Sequence, residues 1–168
     1  MEYLINSILF IVLIISFITD LKHRKIYNKV LFPALILALL LQPIFMGFDG
    51  IISSILGLLL GFGILLIPYL MGGMGAGDVK LLAVIGAIKG PAFVLTTVVY
   101  MAVIGGVIGL AFLVFRKDFF KGLYYALSNM RYGMQLVFSK SAMKRTFPYG
   151  VAIVGGACLS FFLDGVVI

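Results

Sequence analysis

The sequence predicts an all-α, polytopic transmembrane helix bundle, and three observations predict it. Apolar residues make up 63% of the chain against 11% charged, with a mean hydropathy of +1.23, far from the composition of a water-soluble domain. Apolar runs on the scale of a bilayer crossing recur from one end to the other. The basic residues are confined to the short breaks between those runs. One membrane-embedded domain over residues 1–168 is expected, with no repeat or linker.

The first run, 3–19, follows Glu2 and lacks both a positive start and a small-residue cleavage site, so a retained span is expected rather than a signal peptide. Runs at 30–46 and 50–70 follow, with Gly47, Phe48 and Asp49 between them. The fourth run, 79–89, is short: Val79 to Lys89 makes about 16 Å of helix against roughly 30 Å of hydrocarbon. Two arrangements relieve this. Either Gly90-Pro91 bends inside the membrane, or the glycine-rich segment Met71 to Gly77 dips below the surface to meet the helix, as is tolerated only beside a polar cavity or under cover of protein. The runs 92–115 and 147–164 complete six expected crossings. Near 117–140, Phe120, Leu123, Tyr124, Leu127, Met130 and Met134 recur at helical spacing with basic neighbours, which predicts an interfacial amphipathic helix on an anionic leaflet.

A net charge of +7 raises nucleic acid as a partner, but the distribution of the charge excludes it. With the 20–29 loop in the cytoplasm, twelve of thirteen Lys and Arg residues fall on that side, and Lys89 alone falls outside with Glu2, Asp49 and Asp164. The positive-inside bias therefore predicts both termini outside the cytoplasm. One Cys and one His cannot assemble a four-ligand zinc site, and no metal or cofactor is expected.

Of six acids, Glu2, Asp49, Asp118 and Asp164 occupy tails or loops, where a solvated charge is ordinary. Asp20 and Asp78 stand where apolar runs meet the cytoplasmic face, at one expected depth. An acid there is costly and is a functional candidate by default. Two such carboxylates suit peptide hydrolysis, one ionised to take a proton from water and one protonated to polarise the carbonyl. The hydroxyls of Ser16, Ser53, Ser54, Thr96 and Ser160 are expected to lack a Lys or His partner at their level, which argues against serine catalysis. The structural alternatives are a helix-end Asp20 neutralised by Lys22 or Arg24 and an Asp78 that caps the fourth helix.

Gly75-Ala76-Gly77-Asp78 resembles the Gly-x-Gly-Asp signature of membrane aspartic peptidases in the form used by type IV prepilin peptidases. Asp20-Leu21-Lys22-His23-Arg24-Lys25-Ile26-Tyr27-Asn28 resembles that family's first aspartate region, with Tyr27 where Pro is usual, and Pro148-Tyr149-Gly150 is similar to its Pro-x-Gly. The resemblance implies Asp20 and Asp78 as the catalytic pair, with Gly75, Gly77, Lys80, Arg24, Asn28, Pro148 and Gly150 in support. It implies a prepilin substrate whose hydrophilic leader is cut after a Gly at the cytoplasmic face of a bacterial inner membrane. Larger members carry paired Cys-x-x-Cys motifs associated with N-methylation; this chain resembles the short branch that processes Flp-type prepilins, so methyl transfer is not expected. Presenilin-like proteases share Gly-x-Gly-Asp, but here Thr19 precedes the first acid, and Pro148-Tyr149-Gly150, downstream of the second, is no Pro-Ala-Leu. A proton-coupled carrier and a non-catalytic pilus assembly subunit are the rivals from other classes.

Overall fold

A computed structural model describes residues 2–23, 25–114 and 149–167. The expected interfacial helix near 117–140, Arg24 and Pro148 all lie outside the described residues. Five helices are described: α1 (Glu2–His23), α2 (Asn28–Leu70), α3 (Ala76–Lys89), α4 (Pro91–Val114) and α5 (Tyr149–Val167). Among the described residues, three helices are long and apolar enough to cross a membrane: Tyr3–His23, Asn28–Leu70 and Pro91–Ala111. The apolar stretch Tyr149–Leu163 is shorter.

Helix α2 joins the two expected runs 30–46 and 50–70, and it is not straight. Gly47 adopts φ 61 and ψ −139, a left-handed conformation outside the helical region. Leu31, Phe32 and Leu35 line one cavity together with Leu58 and Phe62. In a straight helix Leu31 and Phe62 would stand about 46 Å apart. The helix therefore folds back at Gly47 into two arms, 28–46 and 48–70, that lie side by side.

Helix α3 occupies the centre. From Asp78 to Ile88 every residue except Lys80 is buried, among them Leu81, Leu82, Ile85 and Ala87 at 0% exposure. Gly50, Ser54, Gly57, Gly61 and Leu65 form a buried stripe of mostly small residues down the second arm of α2, in which Gly50 packs on Gln42 of the first arm and the residues beyond it turn to α3. Gly57 packs on the carbonyl of Gly86, and Gly61 on that of Leu82. Small residues let the two backbones approach closely, as in membrane helix pairs generally. The outer faces remain apolar and exposed: Leu95, Val99, Val103, Val107 and Leu110 recur every three or four residues along α4. That pattern suits contact with lipid.

The close contacts also set the level of Asp78. Ser53 faces Gly90, Gly57 faces Gly86 and Gly61 faces Leu82, an antiparallel register of four residues against four. Continued by one turn, it puts Asp78 level with Leu65, five residues before the end of α2 at Leu70. Asp78 is thus recessed by about 7–8 Å from that helix end. Both segments invoked for the short run break the helical path: the chain turns at Gly72 (φ 76) before α3, and Gly90 (φ 88) separates α3 from α4.

Candidate functional site

Asp20 reaches the interior because α1 is one-sided. Leu9, Val12, Leu13, Ser16 and Asp20 form its buried stripe, at three- and four-residue steps, and Asp20 is 5% exposed. Its carboxylate lies over Gly150 at the start of α5, where a Cβ would meet Asp20 Oδ2 at 2.5 Å and Cγ at 2.7 Å. The third motif is therefore the seat of the first acid: only a residue without a side chain leaves room for the carboxylate. Ser16, one turn before Asp20, is buried at 1% exposure on the same face, and its i−4 spacing from an acid is the sequence signal for it.

Asp78 is the third residue of α3 and 8% exposed. Gly75 N–H donates to Asp78 Oδ2 at 3.1 Å, the backbone half of a capping box whose other half Gly75 has no side chain to supply. Removal from water pushes the Asp78 carboxyl up from the ordinary carboxylate range to about 6. The Gly75 N–H works against that rise, and the charge of Asp20 adds to it. The two acids thus share one end of the bundle and interact electrostatically.

The two acid-bearing segments are stitched together by contacts that no local pattern announces. A Cβ on Gly77 would sit 3.0 Å from Ile26 Cβ, so Ile26 packs directly on the glycine before Asp78. Lys80 Nζ donates to Asn28 Oδ1 at 3.1 Å and lies 5.8 Å from the Phe32 ring. Lys80 and Asn28, expected separately, therefore form one link between α2 and α3. Tyr27 takes an extended conformation as the N-cap of α2 and is exposed beside His23, its ring 6.0 Å away.

One expectation from sequence fails. Ser53 does share its level with a lysine: Ser53 and Lys89 line the same cavity, because the antiparallel register sets Ser53 against the end of α3. That cavity lies at the opposite end of α3 from Asp78.

A model of the type IV leader peptidase family matches residues 7–110, a stretch that includes Asp20, Gly75, Gly77 and Asp78. A prepilin leader peptidase/N-methyltransferase of Bacillus subtilis (strain 168) is 33% identical over 112 residues, covering 64% of this chain and 44% of that relative. The chain therefore spans less than half the length of the curated relative it matches. No solved structure matches it.

Proposed function

The chain belongs to the type IV leader peptidase family, and from that premise we propose that it is an aspartic endopeptidase that removes the short cytoplasmic leader of a type IV, Flp-like prepilin. The observation that carries this reading is the pairing of two buried carboxylates, Asp20 and Asp78, at one end of the bundle, drawn from helices that only the fold brings together. The apolar runs support six passes and the family a bacterial inner membrane, and the distribution of Lys and Arg supports placing the acids on the cytoplasmic side with both termini opposite. No methyl transfer is assigned to this chain.

In the proposed reaction the Asp78 carboxylate takes a proton from a water molecule, whose oxygen attacks the scissile carbonyl. Protonated Asp20 donates to the carbonyl oxygen. As the C–N bond breaks, the proton held by Asp78 passes to the leaving amine, and one hydroxyl of the diol returns a proton to Asp20 as the carboxyl forms. A carboxyl that titrates near 6 is well placed to act as a base at neutral pH. Helix dipoles do not by themselves divide the roles: Asp20 ends α1 but also lies over the N-terminus of α5. The Gly75 N–H favours the anion on Asp78. The pair titrates jointly, so the macroscopic values belong to both acids.

The test is co-expression with Flp-like prepilins, following leader removal by wild type, Asp20→Asn and Asp78→Asn with membrane abundance measured in parallel. Each variant is expected to lose at least about 10³-fold in cleavage at unchanged abundance. Normal cleavage by either variant would sink the two-acid mechanism and favour the carrier or assembly-subunit alternatives.

A further inference from the structure

The end of the bundle away from the two carboxylates holds a second polar chamber. Asn6 on α1, Gln42 and Ser53 on the two arms of α2, and Lys89 on α3 line a cavity of about 150 Å³, with Met46 and Ile88 among its apolar walls. Along α3 the chamber stands about 16 Å from Asp78, and along α1 about 21 Å from Asp20. It is no part of the acid site.

Its polarity is specific. Gln42 is 6% exposed, and its Nε2 donates to the Ile88 carbonyl at 2.6 Å, which orients the amide. The other amide atom, Gln42 Oε1, is buried with no hydrogen-bond partner among the described residues, and so is Asn6 Oδ1. A buried acceptor left unsatisfied costs about 1–3 kcal/mol, so two of them on one chamber call for a donor inside it. Lys89 also lines the chamber, its ammonium 5.8 Å from the Phe93 ring and 5.4 Å from the Phe161 ring. The lining thus combines acceptors for N–H groups with a cationic side chain, the complement of a small zwitterion.

Depth identifies the source. Asn6 lies in the second turn of α1, Gln42 and Ser53 flank the Gly47 bend, and Lys89 is the last residue of α3. All four lie within about 9 Å, along a helix, of an element end or of the Gly47 bend, as suits the head-group region better than the bilayer centre. The volume equals about five waters, enough for a head group of a few heavy atoms and too little for an acyl chain.

We propose that this chamber binds the phosphoethanolamine head group of a phospholipid, its ammonium donating to Gln42 Oε1 and Asn6 Oδ1 and its phosphate set against Lys89. Phosphatidylcholine carries the same phosphate but no N–H donor, so it is the discriminating control. The test is native mass spectrometry and thermal unfolding of the full chain, stripped of lipid in detergent, with phosphatidylethanolamine and phosphatidylcholine of identical acyl chains. The ethanolamine lipid is expected to bind at least tenfold more tightly and to raise the unfolding midpoint. Asn6→Leu and Gln42→Met are each expected to bring that ratio close to one, whereas Lys89→Met weakens both lipids and Ser53→Ala changes neither. Equal binding of the two lipids by wild type would overturn the proposal, with water as the occupant. Protection by soluble glycerophosphoethanolamine or inorganic phosphate equal to that by the lipid would overturn the lipid source.

Discussion

The two ends of α3 are built on opposite plans. At its C-terminal end, beyond the backbone bond from Gly90 N–H to the Gly86 carbonyl, side chains hold the backbone: Ser54 Oγ donates to the carbonyl of Ala87 and Gln42 Nε2 to that of Ile88. The reason is Pro91, which has no N–H to meet the Ala87 carbonyl four residues back, so α2 supplies hydroxyl and amide donors instead. At the N-terminal end the side chains withdraw. Gly75, Gly77 and Gly150 leave space, and a backbone N–H holds the acid. One end is locked by side chains filling the role of backbone donors, and the other is opened by side chains left out, which is what a peptide must find if its backbone is to approach two carboxylates.

That contrast is broken most sharply by adding one methyl group at each kind of site. Gly57→Ala drives a Cβ into the Gly86 carbonyl, and neither backbone has room to retreat. It is expected to deplete the protein from the membrane, as seen by immunoblot, with activity lost in proportion. Gly150→Ala meets the Asp20 carboxylate, the end of a side chain that can turn aside. Abundance is expected to persist while cleavage falls about 100-fold, the scale set by displacing a reacting group by an ångström. If Gly150→Ala depletes the protein as severely as Gly57→Ala, the glycine supports the helix packing rather than the acid.

A smaller effect comes from pH. With Asp78 acting as the anion, kcat/KM for leader removal is expected to fall through an acid limb near pH 6 and to be about tenfold lower at pH 5 than at pH 7. The same group bears on stability with a definite sign. Its folded value, about 6, lies above the unfolded 3.8, so ionised Asp78 destabilises the fold above pH 6 and that penalty disappears as pH falls through 6 toward 3.8. Asp78→Asn is therefore expected to unfold at a higher temperature than wild type at pH 7 and to lose that advantage near pH 4. An advantage independent of pH would mean that the carboxylate is solvated in the fold.

Much of this was legible beforehand, and what was not shares one cause. The helices α1, α4 and α5 begin and end within a few residues of their apolar runs, because charges and Gly-Pro breaks punctuate them. Asp20 and Asp78 stood out because acids are scarce in so apolar a chain. The packing of Ile26 on Gly77, the Asp20 seat on Gly150 and the Ser53–Lys89 cavity were hidden, and the recess of Asp78 was one of two open arrangements. Each depends on the register between helices that are apolar on every face, and such helices carry little periodicity to say which residue meets which.

The mildest expected effect concerns Tyr27, which stands where the resemblance has Pro. Its φ of −84 lies near the range that proline fixes, and as N-cap it contributes to α2 through its carbonyl, which accepts from Val30 N–H at 3.0 Å, rather than through its own N–H. Proline keeps that carbonyl. What Tyr27→Pro removes is an exposed ring and its edge contact with His23, worth about 1 kcal/mol or less, while the stiffer unfolded chain returns a comparable amount. Leader removal is expected within about threefold of wild type. A larger loss would show that the Tyr27 side chain itself, next to the Ile26 that packs on Gly77, takes part in holding the substrate. The glycine-lined end would then owe part of its specificity to an aromatic that proline cannot replace.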